Sequence, residues 1–164
     1  MKTARAAAGS AVFFALAPGV VAGVVPWLLT RWQSASTHRV AQVAGGALLA
    51  ASLPLLVSSF VRFVRDGGGT PAPLAPTERL VVTGAYRHVR NPMYVAVVAS
   101  IVGQGLVLGR PVLYGYGALA LGVMAVFVRT YEEPTLLAKY GDAYEAYRSA
   151  VPAWWPRLRP YGER

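Results

Sequence analysis

Four long uncharged runs divide the chain, separated by short polar intervals. Between Arg5 and Arg31 there are 25 consecutive uncharged residues, between Arg39 and Arg62 there are 22, between Arg90 and Arg110 there are 19, and between Arg110 and Arg129 there are 18. At about 1.5 Å per residue each run can cross a ~30 Å hydrocarbon layer as a helix, the last two with little to spare. The pattern predicts an all-α polytopic membrane protein with about four transmembrane helices, near residues 8–30, 41–63, 93–108 and 112–128. Only Gly109-Arg110-Pro111 separates the last two, so a tight antiparallel hairpin is expected between them. The segments before span three and after span four then share one membrane face.

The polar intervals have their own signals. Residues Gly67 to Pro76 are six-tenths Gly and Pro, which neither a helix nor a sheet interior accepts, so a loop is expected. Glu78 to Thr83 reads as a short extended segment turned by Gly84, leading into the polar stretch Tyr86 to Asn91. Asn91-Pro92 suits the N-cap and first helical residue of span three. After span four, Leu136, Leu137, Tyr140, Tyr144 and Tyr147 recur at helical spacing, with Lys139, Asp142, Glu145 and Arg148 between them. This predicts one C-terminal amphipathic helix over Pro134–Arg148, lying against the membrane interface with Trp154 and Trp155 as anchors. A helix packed on its own domain is the alternative. At the other end, Met1 to Arg5 and the small residues near Ala22 resemble a cleaved signal. The run continues through Trp27, Leu28 and Leu29, which favours a retained span.

Composition agrees with the pattern. The chain has 164 residues, 55% hydrophobic and only 14% charged, against roughly 25% charged in ordinary soluble domains. A water-soluble monomer is excluded on that balance. The net charge of +9 suggests a polyanionic partner until the basic residues are placed. With the amino terminus in the cytoplasm and four spans, Arg31, Arg39 and Arg110 lie outside and the other 13 Lys and Arg lie inside. The positive-inside rule therefore accounts for the basicity, and no nucleic-acid partner is expected. Cysteine is absent, which removes disulfides, thiolate zinc sites and a cysteine nucleophile. Two isolated histidines, His38 and His88, supply too few ligands for a catalytic metal, so no metal is expected.

Every acidic residue lies at Asp66 or later, and two are adjacent: Glu132 and Glu133. A plain explanation is an acidic cap where span four leaves the membrane. Across the hairpin they face Tyr86, Arg87, Arg90, Asn91 and Tyr94. Together these groups suit a small zwitterionic, aromatic ligand. The helix amino end would attract a carboxylate, the carboxylates would hold an ammonium or ribose hydroxyls, and the tyrosine faces would stabilise an onium centre.

The stretch Leu80-Val81-Val82-Thr83-Gly84-Ala85-Tyr86, followed by Arg90-Asn91-Pro92-Met93-Tyr94, resembles the first signature of the isoprenylcysteine carboxyl methyltransferase family and its bacterial and phospholipid-methyltransferase relatives. The second signature is matched by Arg129, Glu132-Glu133-Pro134-x-Leu136, Tyr140-Gly141-x-x-Tyr144-x-x-Tyr147, Val151-Pro152 and Pro156. The resemblance covers about residues 78–156. It implies an integral membrane enzyme that uses S-adenosyl-L-methionine, enclosed at the cytoplasmic interface. The family's cofactor contacts fall on Leu80, Val81, Tyr86, Asn91, Pro92, Met93, Tyr94 and Glu132. Its substrate-side arginine falls on Arg129, with Arg90 and Glu133 as further candidate catalytic groups. Residues 1–66 would form a two-span scaffold and residues 67–164 the catalytic half of one membrane domain. The acceptor would be a lipid or hydrophobic small molecule entering from the bilayer; Asn91 stands where the eukaryotic prenylcysteine enzymes usually carry a histidine. The alternatives are a phospholipid amine N-methyltransferase, a membrane reductase of the sterol reductase type and a non-catalytic membrane protein. An excess of 14 Arg over 2 Lys, with abundant Ala and Gly, points to a G+C-rich bacterium, and the cytoplasmic membrane is the expected location with the active site facing the cytoplasm.

Overall fold

The computed structural model describes residues 17–67 and 79–162. The charged amino-terminal segment, the start of the first apolar run, Glu78 and most of the Gly67–Pro76 interval lie outside the described residues. The described residues are helical, with no strand. Helix α1 is Ala17–Thr30, α2 is Arg39–Gly67, α3 is Pro92–Leu108 and α4 is Val112–Phe127. Two short helices follow, α5 at Glu133–Tyr140 and α6 at Asp142–Ala150. Two stretches, Arg39–Phe63 and Val112–Tyr140, are long and apolar enough to cross a membrane, while Ala17–Thr30 and Pro92–Leu108 are apolar but shorter. Outward-facing Val40, Leu119, Val123 and Val126 are 62–81% exposed, an arrangement that water penalises and hydrocarbon does not.

In lipid, helices associate through close packing and interhelical hydrogen bonds rather than the hydrophobic effect, so small residues mark the contacts. Helix α2 packs on α3 in this way. A Cβ on Gly45 would meet the Gly103 carbonyl oxygen at 2.7 Å, so the two backbones need glycine there. Seven residues further on, Ser52 and Ser100 share a 3.0 Å hydrogen bond, and Leu56 packs with Ala96, Val97, Ile101, Leu113 and Ala120. Gly109 in a left-handed conformation ends α3, and α4 starts at Val112.

Two prolines inside helical stretches are absorbed by the same backbone device. Pro26 follows a π turn at Val20–Val24, and its missing N–H frees carbonyls one turn back. Gln104 Nε2 donates to the Ala22 carbonyl at 2.7 Å and Tyr116 Oη to that of Val21 at 2.8 Å, stitching α1 to α3 and α4. Pro134 likewise follows a π turn at Val128–Glu132. The helix therefore continues from Val112 to Tyr140, and the expectation that span four ends near 128 at an acidic cap is corrected. A one-residue widening lets the chain pass the proline without stopping.

The single amphipathic helix expected over Pro134–Arg148 is also corrected. Gly141, at φ 51° and ψ −129°, breaks it into α5 and α6. Tyr144 and Tyr147 are buried with Val151 against Leu80, Val82 and Tyr161, so this face packs on the chain itself. The tail after α6 runs beside the segment that precedes α3. Arg90 N–H donates to Pro152 O, Arg157 N–H to His88 O and Tyr161 N–H to Arg87 O, each at 2.9 Å.

Candidate active site

The segment carrying Tyr86 is set by the end of α2. Thr83 donates its hydroxyl to Asp66, and Gly84 turns the chain at φ 55° into a 3-10 turn over Gly84–Arg87. The end of the Arg62 side chain lies directly over Gly84, where a Cβ would stand. The left-handed φ is what favours glycine here, since the end of the Arg62 side chain can move aside. The Tyr86 ring meets Phe63 at 5.3 Å between centroids, and Tyr147 Oη donates to the Tyr86 carbonyl at 2.6 Å. Tyr86 is 4% exposed and its hydroxyl has no hydrogen-bond partner. Burial, then the Glu132 carboxylate, hold that phenol well above its usual range, so it stays protonated. Val81 is buried beneath the turn and Leu80 packs on the Tyr144–Tyr147–Val151 cluster.

At the start of α3, Pro92 occupies the first helical turn as expected, but Asn91 does not cap it with its side chain. Its Nδ2 instead donates to the Ala153 carbonyl at 3.1 Å, tying the helix start to the tail. Met93 packs into the helical core. Tyr94 Oη donates to Glu132 Oε2 at 3.1 Å, closing a contact between residues 38 positions apart. The Trp154 ring stands 6.4 Å from the Tyr94 ring. Trp154 is thus half-buried beside Glu132's partner and does not act as an outward anchor; Trp155, 82% exposed, takes the outward position.

Arg90 and Glu133 are held differently. Arg90 Nη1 donates to Glu133 Oε1 at 2.6 Å and to Tyr144 Oη at 3.2 Å, and Nε donates to the Val151 carbonyl at 2.9 Å. Arg148 approaches the other Glu133 oxygen at 3.8 Å. This arginine joins the start of α3 to α5, α6 and the tail through its Nε and Nη1 donors. Arg129 is exposed on the π turn, three residues before Glu132. The structure therefore brings Tyr86, Tyr94, Glu132, Asn91 and Trp154 to one place, puts Arg90 and Glu133 in an adjoining clamp, and leaves Arg129 exposed on the turn that carries Glu132. Trp154 and Tyr144 belong to these arrangements although their sequence spacing suggested only an anchor and a helix face.

Glu132 keeps acceptor capacity beyond its one tyrosine donor, Tyr86 presents an uncommitted hydroxyl, and two aromatic rings stand alongside. Among the described residues no group of three or more His, Asp or Glu is placed to hold a metal. A family model described as phospholipid methyltransferase matches residues 40–143, a span that includes Tyr86, Tyr94 and Glu132. The chain belongs to the phospholipid methyltransferase family. Protein-S-isoprenylcysteine O-methyltransferase of Schizosaccharomyces pombe is 36% identical over 79 residues, which cover 48% of this chain and 34% of that relative. The match thus spans about a third of the relative's length. No solved structure matches the chain. The site around Glu132 lies within the region that the family model matches.

Proposed function

We propose that the protein transfers a methyl group from S-adenosyl-L-methionine to a lipid-like or hydrophobic acceptor at the cytoplasmic face of a bacterial membrane. The observation that carries the proposal is the Tyr94–Glu132 hydrogen bond beside the buried, unpartnered Tyr86 hydroxyl. A carboxylate and a phenol with spare hydrogen-bonding capacity, next to two aromatic rings, match the ribose hydroxyls, ammonium and sulfonium of that donor. Glu132, Tyr86 and Tyr94 would hold it, with Leu80, Val81, Asn91, Pro92 and Met93 shaping the surround. When bound, S-adenosylmethionine supplies an electrophilic methyl on sulfur, and displacement there needs orientation rather than a covalent nucleophile.

The chain's own part is to fix that orientation and exclude water. The clamp of Arg90 and Glu133 holds α5, α6 and the tail in register with the start of α3, which sets the distance between Tyr94 and Glu132. In this reading Arg90 and Glu133 position the site, and Arg129, exposed at its edge, meets an anionic or carboxylate group of the acceptor. Four spans, with the third and fourth as a hairpin, would present residues 67–164 at the inner leaflet over a scaffold formed by residues 1–66. The family description is compatible with a phospholipid amine as the alternative acceptor, and the relative from Schizosaccharomyces pombe is named for an isoprenylcysteine.

The test is binding of S-adenosylmethionine and S-adenosylhomocysteine to detergent-purified protein, comparing wild type with Glu132→Gln and Tyr94→Ala. Both variants should bind about tenfold more weakly or worse, the effect of removing a hydrogen bond to a charged group. Unchanged affinity in both, with the proteins folded, would remove the site. Stabilisation by a nicotinamide cofactor instead would favour a reductase.

A further inference from the structure

The outer face of α2 carries a second polar feature, separate from the Glu132 cluster. Near the end of the long apolar stretch Arg39–Phe63, an open surface hollow of about 530 Å³ is bordered, among the described residues, by Pro54, Val57 and Val61 at one end and by Arg62, Arg65 and Asp66 at the other. Positions 54, 57, 61 and 65 recur at helical spacing and share one face. Val57 and Val61 are 51% and 44% exposed, as residues turned to hydrocarbon are. Arg62 lies 3.8 Å from Asp66, whereas Arg65 is exposed and pairs with no carboxylate among the described residues. Two guanidiniums against one carboxylate leave surplus positive charge at the mouth of an apolar groove.

We infer that this groove on α2 binds an anionic phospholipid of the surrounding leaflet, its phosphate held by Arg65 and Arg62 and its chain lying along Val61, Val57 and Pro54. Guanidinium forks match phosphate oxygens, and basic pockets at the ends of membrane helices recognise anionic headgroups. A free phosphate would leave the apolar half of the groove unused, which is why the ligand is a lipid. Arg62 also covers Gly84, so the bound headgroup borders the turn that carries Tyr86. The inference rests on α2 lying in the bilayer and is independent of the transfer chemistry, because its readout is bound lipid rather than product.

Native mass spectrometry of the full chain, exposed in detergent to an equimolar mixture of phosphatidylglycerol and phosphatidylcholine, tests it. Wild type should retain phosphatidylglycerol selectively, and Arg65→Ala should reduce that selectivity about fivefold, the worth of one arginine at such a surface. Arg65→Lys, which keeps the charge, should preserve most of it. Val57→Trp fills the groove on a lipid-facing position without changing charge, and should lower phosphatidylglycerol retention while the protein stays folded. Arg159→Ala, an exposed arginine far along the tail, should leave the selectivity intact. Equal uptake of the two lipids by wild type would overturn the inference. So would an equal loss in Arg159→Ala and Arg65→Ala, which would mean general charge attraction, or no effect of Val57→Trp, which would mean no groove.

Discussion

Glu132 and Glu133 are neighbours in the chain, yet their surroundings differ in kind. Glu133 sits among cations, with Arg90 at 2.6 Å and Arg148 at 3.8 Å, and its pair with Arg90 is bonded onward to Tyr144 and Val151. Glu132 meets one tyrosine hydroxyl and adds to burial in keeping the Tyr86 phenol protonated. The first region is densely bonded: Arg90 reaches Glu133, Tyr144 and the Val151 carbonyl, and Arg148 approaches Glu133, as a joint between segments requires. The second is unsaturated, with a carboxylate and a phenol that retain capacity. Buried polar groups are costly unless paired, so an incomplete set beside a more complete one is where the proposed ligand would complete the bonding.

The contrast makes predictions that can break it. The largest effect belongs to Glu133→Ala, which strands the Arg90 guanidinium, only 12% exposed, and should cost about 3 kcal/mol in chemical or thermal unfolding. The double variant Arg90→Ala/Glu133→Ala should cost less than the sum of the singles. A neutral Glu133→Ala would erase the distinction between the two acids.

Next in size is an alkaline effect. Burial raises the phenols of Tyr86 and Tyr144 above their ordinary value, but Glu132 pushes Tyr86 further up, whereas Arg90 opposes the rise at Tyr144. Below about pH 10 folded and unfolded chains both hold these protons and the stability is intact. Above it the unfolded chain ionises first, so stability should fall by up to about 1.4 kcal/mol per pH unit for each buried tyrosine. Tyr86→Phe should flatten the decline in melting temperature between pH 9.5 and 11 more than Tyr144→Phe does, on the ~10 reference value. The smallest effect is on the stability of Glu132→Gln. Its amide oxygen still accepts from Tyr94, so unfolding should shift by less than about 1 kcal/mol even where ligand binding is lost. A large loss would make Glu132 another structural joint.

Much of this was legible in the chain. The apolar runs announced helices, Pro92 announced a helix start, and the separation of the two signatures around Gly109-Arg110-Pro111 announced that Tyr94 and Glu132 would meet. The break at Gly141 also had a visible signal, a glycine just after the last residue of a periodic segment. The continuation through Pro134 did not, because a proline usually reads as a boundary and only the π turn before it allows the helix to pass. Nor did the roles of Arg90 and Asn91, which look like free ligand-binding groups until the tail is seen to take their donors. The carbonyls of Val151 and Ala153 that occupy them are backbone groups, and every residue carries one.

The sequence by itself determined the helical character, the apolar surface and the identity of the polar residues that gather at one end. These follow from local quantities: run length, periodicity and the chemistry of side chains. Tertiary structure alone decided which of those polar residues are spent and which are kept available. That division depends on where the tail after Val151 runs and how α5 leaves its π turn, and hydrogen bonds act over about 3 Å. Contacts so short between segments so distant in sequence exist only once the chain has folded.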